Sequence, residues 1–212
     1  MPKTFWQQVF DWLRVIRLVK NSCFEAATAF TQLPALFAGL MSLLMTPDLE
    51  SNSPLVFRLS DGRRIKITAE VVARLQRYAQ HAPDATEAGG VLLGRYLRDS
   101  NDLVVDDITE PLAGDKRGRY FFHRAQKAHQ QAIEQAWQSS NGTRTYLGEW
   151  HTHPEARPTP SCVDTCDWRR KLRQDQYFER LFFFIVGTHE VRGWSGSRSR
   201  PKPVALGAVP AS

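Results

Sequence analysis

The chain has 212 residues, 42% hydrophobic and 24% charged, the proportions of a globular protein with a core of its own. Its 28 basic and 22 acidic side chains leave a net charge of +6, and no basic–aromatic stripe marks specific nucleic-acid binding. Three cysteines, Cys23, Cys162 and Cys166, exclude a disulfide framework and fit a reducing cytoplasm.

Residues 1–50 read as an extension distinct from the rest of the chain. Phe5 to Leu18 has helical spacing, and Ala26 to Thr46 runs 21 residues without a charge. That length spans a bilayer, and Arg14, Arg17 and Lys20 precede it. Gln32 and Pro34 interrupt the run, however, and Thr28, Thr31 and Ser42 dilute it. An extension, or a start misassigned upstream of Met41 or Met45, ranks first, a membrane anchor second and a secretion signal last. After a polar linker, Leu55 to Leu59 and Arg64 to Ile67 flank Asp61-Gly62 and predict a β-hairpin. Thr68 or Ala69 opens a predicted helix to about His81, with Val71, Val72 and Leu75 on one face. Strands are predicted at Val91–Leu97, Leu103–Ile108 and Tyr120–Phe122, then a helix over Ala125–Ser139 closed by Asn141-Gly142. Leu181–Val186 predicts a central strand and Val191–Trp194 another, while the basic tail, residues 198–212, reads as disordered. The order lacks a regular βαβ repeat. It predicts an α+β domain over residues 55–197, a mixed sheet flanked by helices.

The chemistry concentrates in Glu149-Trp150-His151-Thr152-His153-Pro154 and in Ser161-Cys162-Val163-Asp164. In a strand, His151 and His153 share one face with Cα atoms roughly 7 Å apart, close enough for one ion. Pro154, Pro158 and Pro160 make the next stretch a stiff loop. Ser161 and Asp164 then fit a helix cap with its partner three residues on. Two imidazoles and a carboxylate suit zinc and leave a fourth position open, the mark of a catalytic site. Glu87, before Gly89-Gly90-Val91-Leu92-Leu93-Gly94, is the candidate general base outside the coordination set. Cys162 and Cys166, one turn apart, read as small helix residues rather than ligands. His81, His123, His129 and His189 each stand alone and read as surface or satisfied side chains.

Together, Glu87 with its Gly-Gly-Val-Leu-Leu-Gly, His151-Thr152-His153-Pro154, Ser161 and Asp164 resemble the JAMM motif of the JAB/MPN metalloproteases, with every motif position filled. The resemblance covers roughly residues 55 to 200. It implies Zn2+ on His151, His153 and Asp164, Glu87 as base and Ser161 as oxyanion donor. It also implies cleavage of a peptide or isopeptide bond after a ubiquitin-like C-terminal tail. Within the family the chain resembles the stand-alone deconjugating peptidases of CBASS antiphage operons. Its expected partners are then a cGAS-like nucleotidyltransferase conjugate and a ubiquitin-ligase-like operon protein. The alternatives are a peptidase that processes a ubiquitin-like sulfur carrier and a metal-free MPN-type scaffold.

Overall fold

The computed structural model describes residues 53–174 and 179–209. The uncharged run 26–46, the anchor question attached to it and Cys23 lie outside the described residues. Among the described residues, no helix is long and apolar enough to cross a membrane.

The expected hairpin forms: β1 (Leu55–Arg58) pairs antiparallel with β2 (Arg64–Ile67), and Gly62 takes the left-handed φ of 88° that the turn needs. Helix α1 (Ala69–Gln76) follows, its Thr68 side chain accepting from the Val71 amide. It is shorter than expected. The Tyr78 and Ala79 amides turn back to Leu75 and Gln76, which aims Gln80 into the interior, where it is 3% exposed. Strands β3 (Gly89–Tyr96) and β4 (Leu103–Ile108) match the reading. A small separate sheet follows, β5 (Lys116–Gly118) with β6 (Phe121–His123). Helix α2 (Gln126–Ser139), β7 (Thr145–Thr152), α3 (Cys162–Gln174), β8 (Arg180–Val186) and β9 (Val191–Ser197) complete the expected set.

The tail departs from expectation. β10 (Val204–Ala205) pairs with β9, and β11 (Gly207–Val209) pairs with β1. The tail is therefore ordered through Val209. Arg, Ser, Pro and Lys dominate residues 198–203 and suggest disorder, but they precede Val204-Ala205-Leu206-Gly207-Ala208-Val209. This short apolar run closes two open sheet edges, and Leu206 packs against the core.

The main sheet has nine strands in the order β10-β9-β8-β7-β3-β4-β2-β1-β11. Its pairings are antiparallel except β2 with β4 and β7 with β8. β8 is buried on both faces, as a central strand should be. Phe182, Phe184 and Val186 face the cluster holding Val71, Val72 and Leu75 of α1. Leu181, Phe183 and Ile185 face Trp168 and Leu172 of α3. On β3, Leu92 joins the α1 side, while Val91 and Leu93 meet Ala136 of α2. The domain is a three-layer α+β sandwich, α1 on one face and α2 with α3 on the other.

That layering places the site. Trp150 of β7 points into the α1 layer, so Glu149 and His151, its neighbours, point to the α2/α3 face. β7 carries a bulge opposite Leu92 and Leu93 at Gly148. There φ is 149°, and a Cβ would lie 1.8 Å from the Phe182 carbonyl oxygen. Only glycine fits.

Candidate metal centre

His151 ends β7 and His153 follows it, continuing the same face. Asp164 lies in the first turn of α3, on the layer that covers this face. The structure brings all three together. The two Nε2 atoms are 3.1 Å apart. Asp164 Oδ1 is 3.4 Å from His151 Nε2, and Oδ2 is 3.4 Å from His153 Nε2. Zinc bonds of about 2.0–2.1 Å in a tetrahedron require donor atoms about 3.3 Å apart. The donor set fits zinc in type and in spacing, and among the described residues no other such group of His, Cys, Asp or Glu forms. Cys162 and Cys166 are exposed and outside it.

Ser161 and Asp164 form a reciprocal cap. The Asp164 amide donates to Ser161 Oγ at 3.1 Å, and the Ser161 amide donates to Asp164 Oδ2 at 2.7 Å. The Ser161 hydroxyl also donates to Oδ2, at 2.6 Å. One serine thus starts the helix and orients the ligand carboxylate. Burial alone would raise the Asp164 carboxyl, but the two imidazoles and Ser161 hold it far below the usual range.

Glu87 precedes β3, whose Gly89 pairs with His151, so the antiparallel register carries Glu87 toward His153. Its amide donates to the Gly118 carbonyl at 2.7 Å, and Arg117 Nε donates to its carbonyl at 2.6 Å. The small sheet therefore pins the backbone of Glu87. The Glu87 side chain is buried, and that burial lifts its carboxyl to about 7, with His153 pulling it down and Asp164 pushing it up.

Two supports went unseen in the sequence. Thr152 points away from the histidines. Its hydroxyl accepts from the Ala88 amide and donates to Gln80 Oε1, each at 3.0 Å. Gln80 Nε2 in turn donates to the Ala85 and Arg119 carbonyls. This chain ties the Glu87 segment to the histidine strand. The second support is Glu149, two residues before His151. It is buried and paired with both Arg124 and Lys171. Burial alone would raise its carboxyl, but the two cations hold it at about 2. Lys171 lies two turns after Asp164 on α3, so the Glu149–Lys171 pair fixes α3 against β7 at the site. A glutamate among strand formers carries no local sign of such a role.

The other histidines behave as read. His81, His123 and His189 are exposed. His129 is a satisfied core residue, bonded through Nδ1 to Thr109 Oγ1 at 2.7 Å and through Nε2 to Asp115 Oδ2 at 3.1 Å.

Residues 68–198 match the family model described as prokaryotic homologs of the JAB domain. The span exceeds half of the chain, and the chain belongs to this family. Three relatives carry the name CD-NTase/cGAS isopeptidase. The chain is 41% identical over 150 residues to the one from Vibrio cholerae, which covers 71% of this chain and 92% of that protein. It is 38% identical to the one from Escherichia coli, over 68% of this chain and 88% of that protein. It is 42% identical to the one from Pseudomonas aeruginosa, over 53% of this chain and 72% of that protein.

Proposed function

We propose that the protein is a zinc metallo-isopeptidase that frees a cGAS-like nucleotidyltransferase from its conjugates by cutting after that protein's C-terminal residue. One observation carries the reading: His151, His153 and Asp164 present three donor atoms within 4.8 Å of one another, with buried Glu87 beside them. The relatives' shared name supplies the substrate class.

His151, His153 and Asp164 hold the ion. Bound there, zinc supplies Lewis acidity to a carbonyl and acidifies water toward neutral pH. Glu87 takes a proton from the attacking water and hands it to the leaving lysine amine. Glu87 is buried beside the donor set, and a carboxylate outside the coordination set can both take and return that proton. Ser161 Oγ donates to the developing oxyanion, turning from its place on Asp164. Gln80, Thr152 and Glu149 keep these groups in place. The reading includes the cytoplasm as its compartment and a role in CBASS antiviral defence, with a ubiquitin-ligase-like enzyme making the conjugate. Processing of a sulfur carrier would use the same residues. The relatives' names favour the nucleotidyltransferase.

A peptide with the tail sequence of such a nucleotidyltransferase, joined to a lysine Nε and carrying a fluorophore, tests the chemistry. The zinc-loaded protein should cut the isopeptide bond, a chelator should stop it, and added zinc should restore it. An uncut bond with zinc bound would remove the deconjugating reading.

A further inference from the structure

The ordered tail creates a feature that the catalytic residues do not use. The segment between β9 and β10 lies against α3, and the two border an open groove of about 500 Å³. Arg169 and Arg173 of α3 line it from one side, and Arg200, Pro201, Lys202 and Val204 from the other. Four cationic residues thus line the groove, mostly with their apolar stems, while the side chains themselves are exposed, and among the described residues no acidic side chain lines it. Neighbouring acids are used elsewhere: Asp167 pairs with Arg170 and Lys171, and Glu179 with Arg198. Among the described residues, none of the four lining cations makes an ion pair. Exposed like charges without a counter-charge leave a positive field around the groove.

We propose that this cleft is an exosite for an acidic surface on the body of the protein whose C-terminal tail is cut. The inference rests on the deconjugating reading above and adds where the folded partner docks. Position supports it. α3 begins at the ligand Asp164, and Arg169 and Arg173 lie roughly 8 and 14 Å further along its axis. A tail of a few residues spans that distance, so a body seated in the cleft delivers its tail to the metal centre. Chemistry supports it too. Arginine is the cation enriched at protein interfaces, and exposed Val204 with Pro201 adds the apolar ground such interfaces contain. The volume is too large for one phosphate, and among the described residues no aromatic side chain lines the cleft to stack on bases, as single-stranded nucleic-acid sites require.

Two charge reversals on opposite walls test it: Arg169→Glu with Arg173→Glu, and Arg200→Glu with Lys202→Glu. Steady-state kinetics are measured on a cGAS-like nucleotidyltransferase conjugate and on the short tail–lysine peptide. Each double variant should raise KM for the conjugate roughly tenfold with kcat unchanged, and the gap should shrink as added salt screens it. Cleavage of the peptide and zinc content should not move. An unchanged KM for the conjugate in both variants at low salt overturns the exosite. So does an unchanged KM accompanied by lost binding to a DNA oligonucleotide, which reassigns the cleft to nucleic acid. Wild-type protein that cuts neither substrate removes the deconjugating reading and the exosite with it.

Discussion

Glu87 is 6% exposed, and burial lifts its carboxyl to about 7. Burial favours its protonated form, a zinc ion beside it would favour the carboxylate, and a group so balanced suits proton transfer. Glu87→Gln keeps the shape and lies outside the donor set, so zinc content should stay at one per chain. Its kcat should fall by roughly 10²–10⁴ or more, since the residue serves two proton transfers. Turnover at the wild-type rate with zinc bound would take Glu87 out of the reaction. Two roles are proposed for Ser161, and one variant separates them. Ser161→Ala should lower kcat by roughly 10²–10³ if its hydroxyl serves the oxyanion. Loss of the cap costs about 1 kcal/mol, read from a melting curve on the same sample. A melting shift with kcat unmoved would leave Ser161 only as cap and carboxylate orienter. These residues were legible because a strand face and a helix cap are local patterns: His151 and His153 two apart, Ser161 and Asp164 three apart. Gln80 and Thr152 were not, because their bond joins positions 72 residues apart and depends on α1 stopping at Gln76.

At the scale of elements, the site depends on α3 lying in register on β7. Glu149 holds that register through Lys171, 22 residues away, and through Arg124, 25 residues away. Glu149→Ala leaves two cations facing each other in a poorly hydrated place. Breaking a buried pair in this way costs about 3–5 kcal/mol, and these side chains retain enough exposure to set the lower end. Zinc affinity should fall together with the melting temperature, because Asp164 rides on the same helix. Intact zinc affinity in a destabilised variant would show that the pair braces the fold but not the site. The sheet edges give a second test. Ending the chain at Lys202 removes β10 and β11, uncovers β1 and β9, and should lower the melting temperature. The strands at 89–96 and 103–108 were legible as apolar runs between turn signals. β11 was not, because its three residues acquire a strand's meaning only beside β1, about 150 positions earlier.

For the whole molecule, acid sensitivity follows from the core pair of His129 and Asp115, whose side chains are each 1% exposed. Burial depresses His129 below its ordinary value of about 6.5, outweighing the pull of Asp115. Its contribution to stability is therefore present above that value and is lost as pH falls below it. Burial would raise Asp115, but the amides of Ala125 and Leu112 and the His129 ring outweigh it, so its contribution is lost at still lower pH. The melting temperature should fall between about pH 7 and pH 5, and less steeply in His129→Gln. Equal slopes in the two proteins would place the sensitivity elsewhere. The three-layer order follows from a continuous apolar run, residues 181–186, that a strand buries on both faces: Phe182 and Phe184 against one layer, Phe183 and Ile185 against the other. The central claim, zinc-dependent removal of a conjugated nucleotidyltransferase, is tested most directly by intact-mass spectrometry of a purified conjugate after incubation with the zinc-loaded protein. The predicted result is one cut: an intact nucleotidyltransferase with a free C-terminal carboxylate, a target with an unmodified lysine, and no product with Glu87→Gln. An unchanged conjugate mass, or fragments from cuts inside either protein, would contradict it.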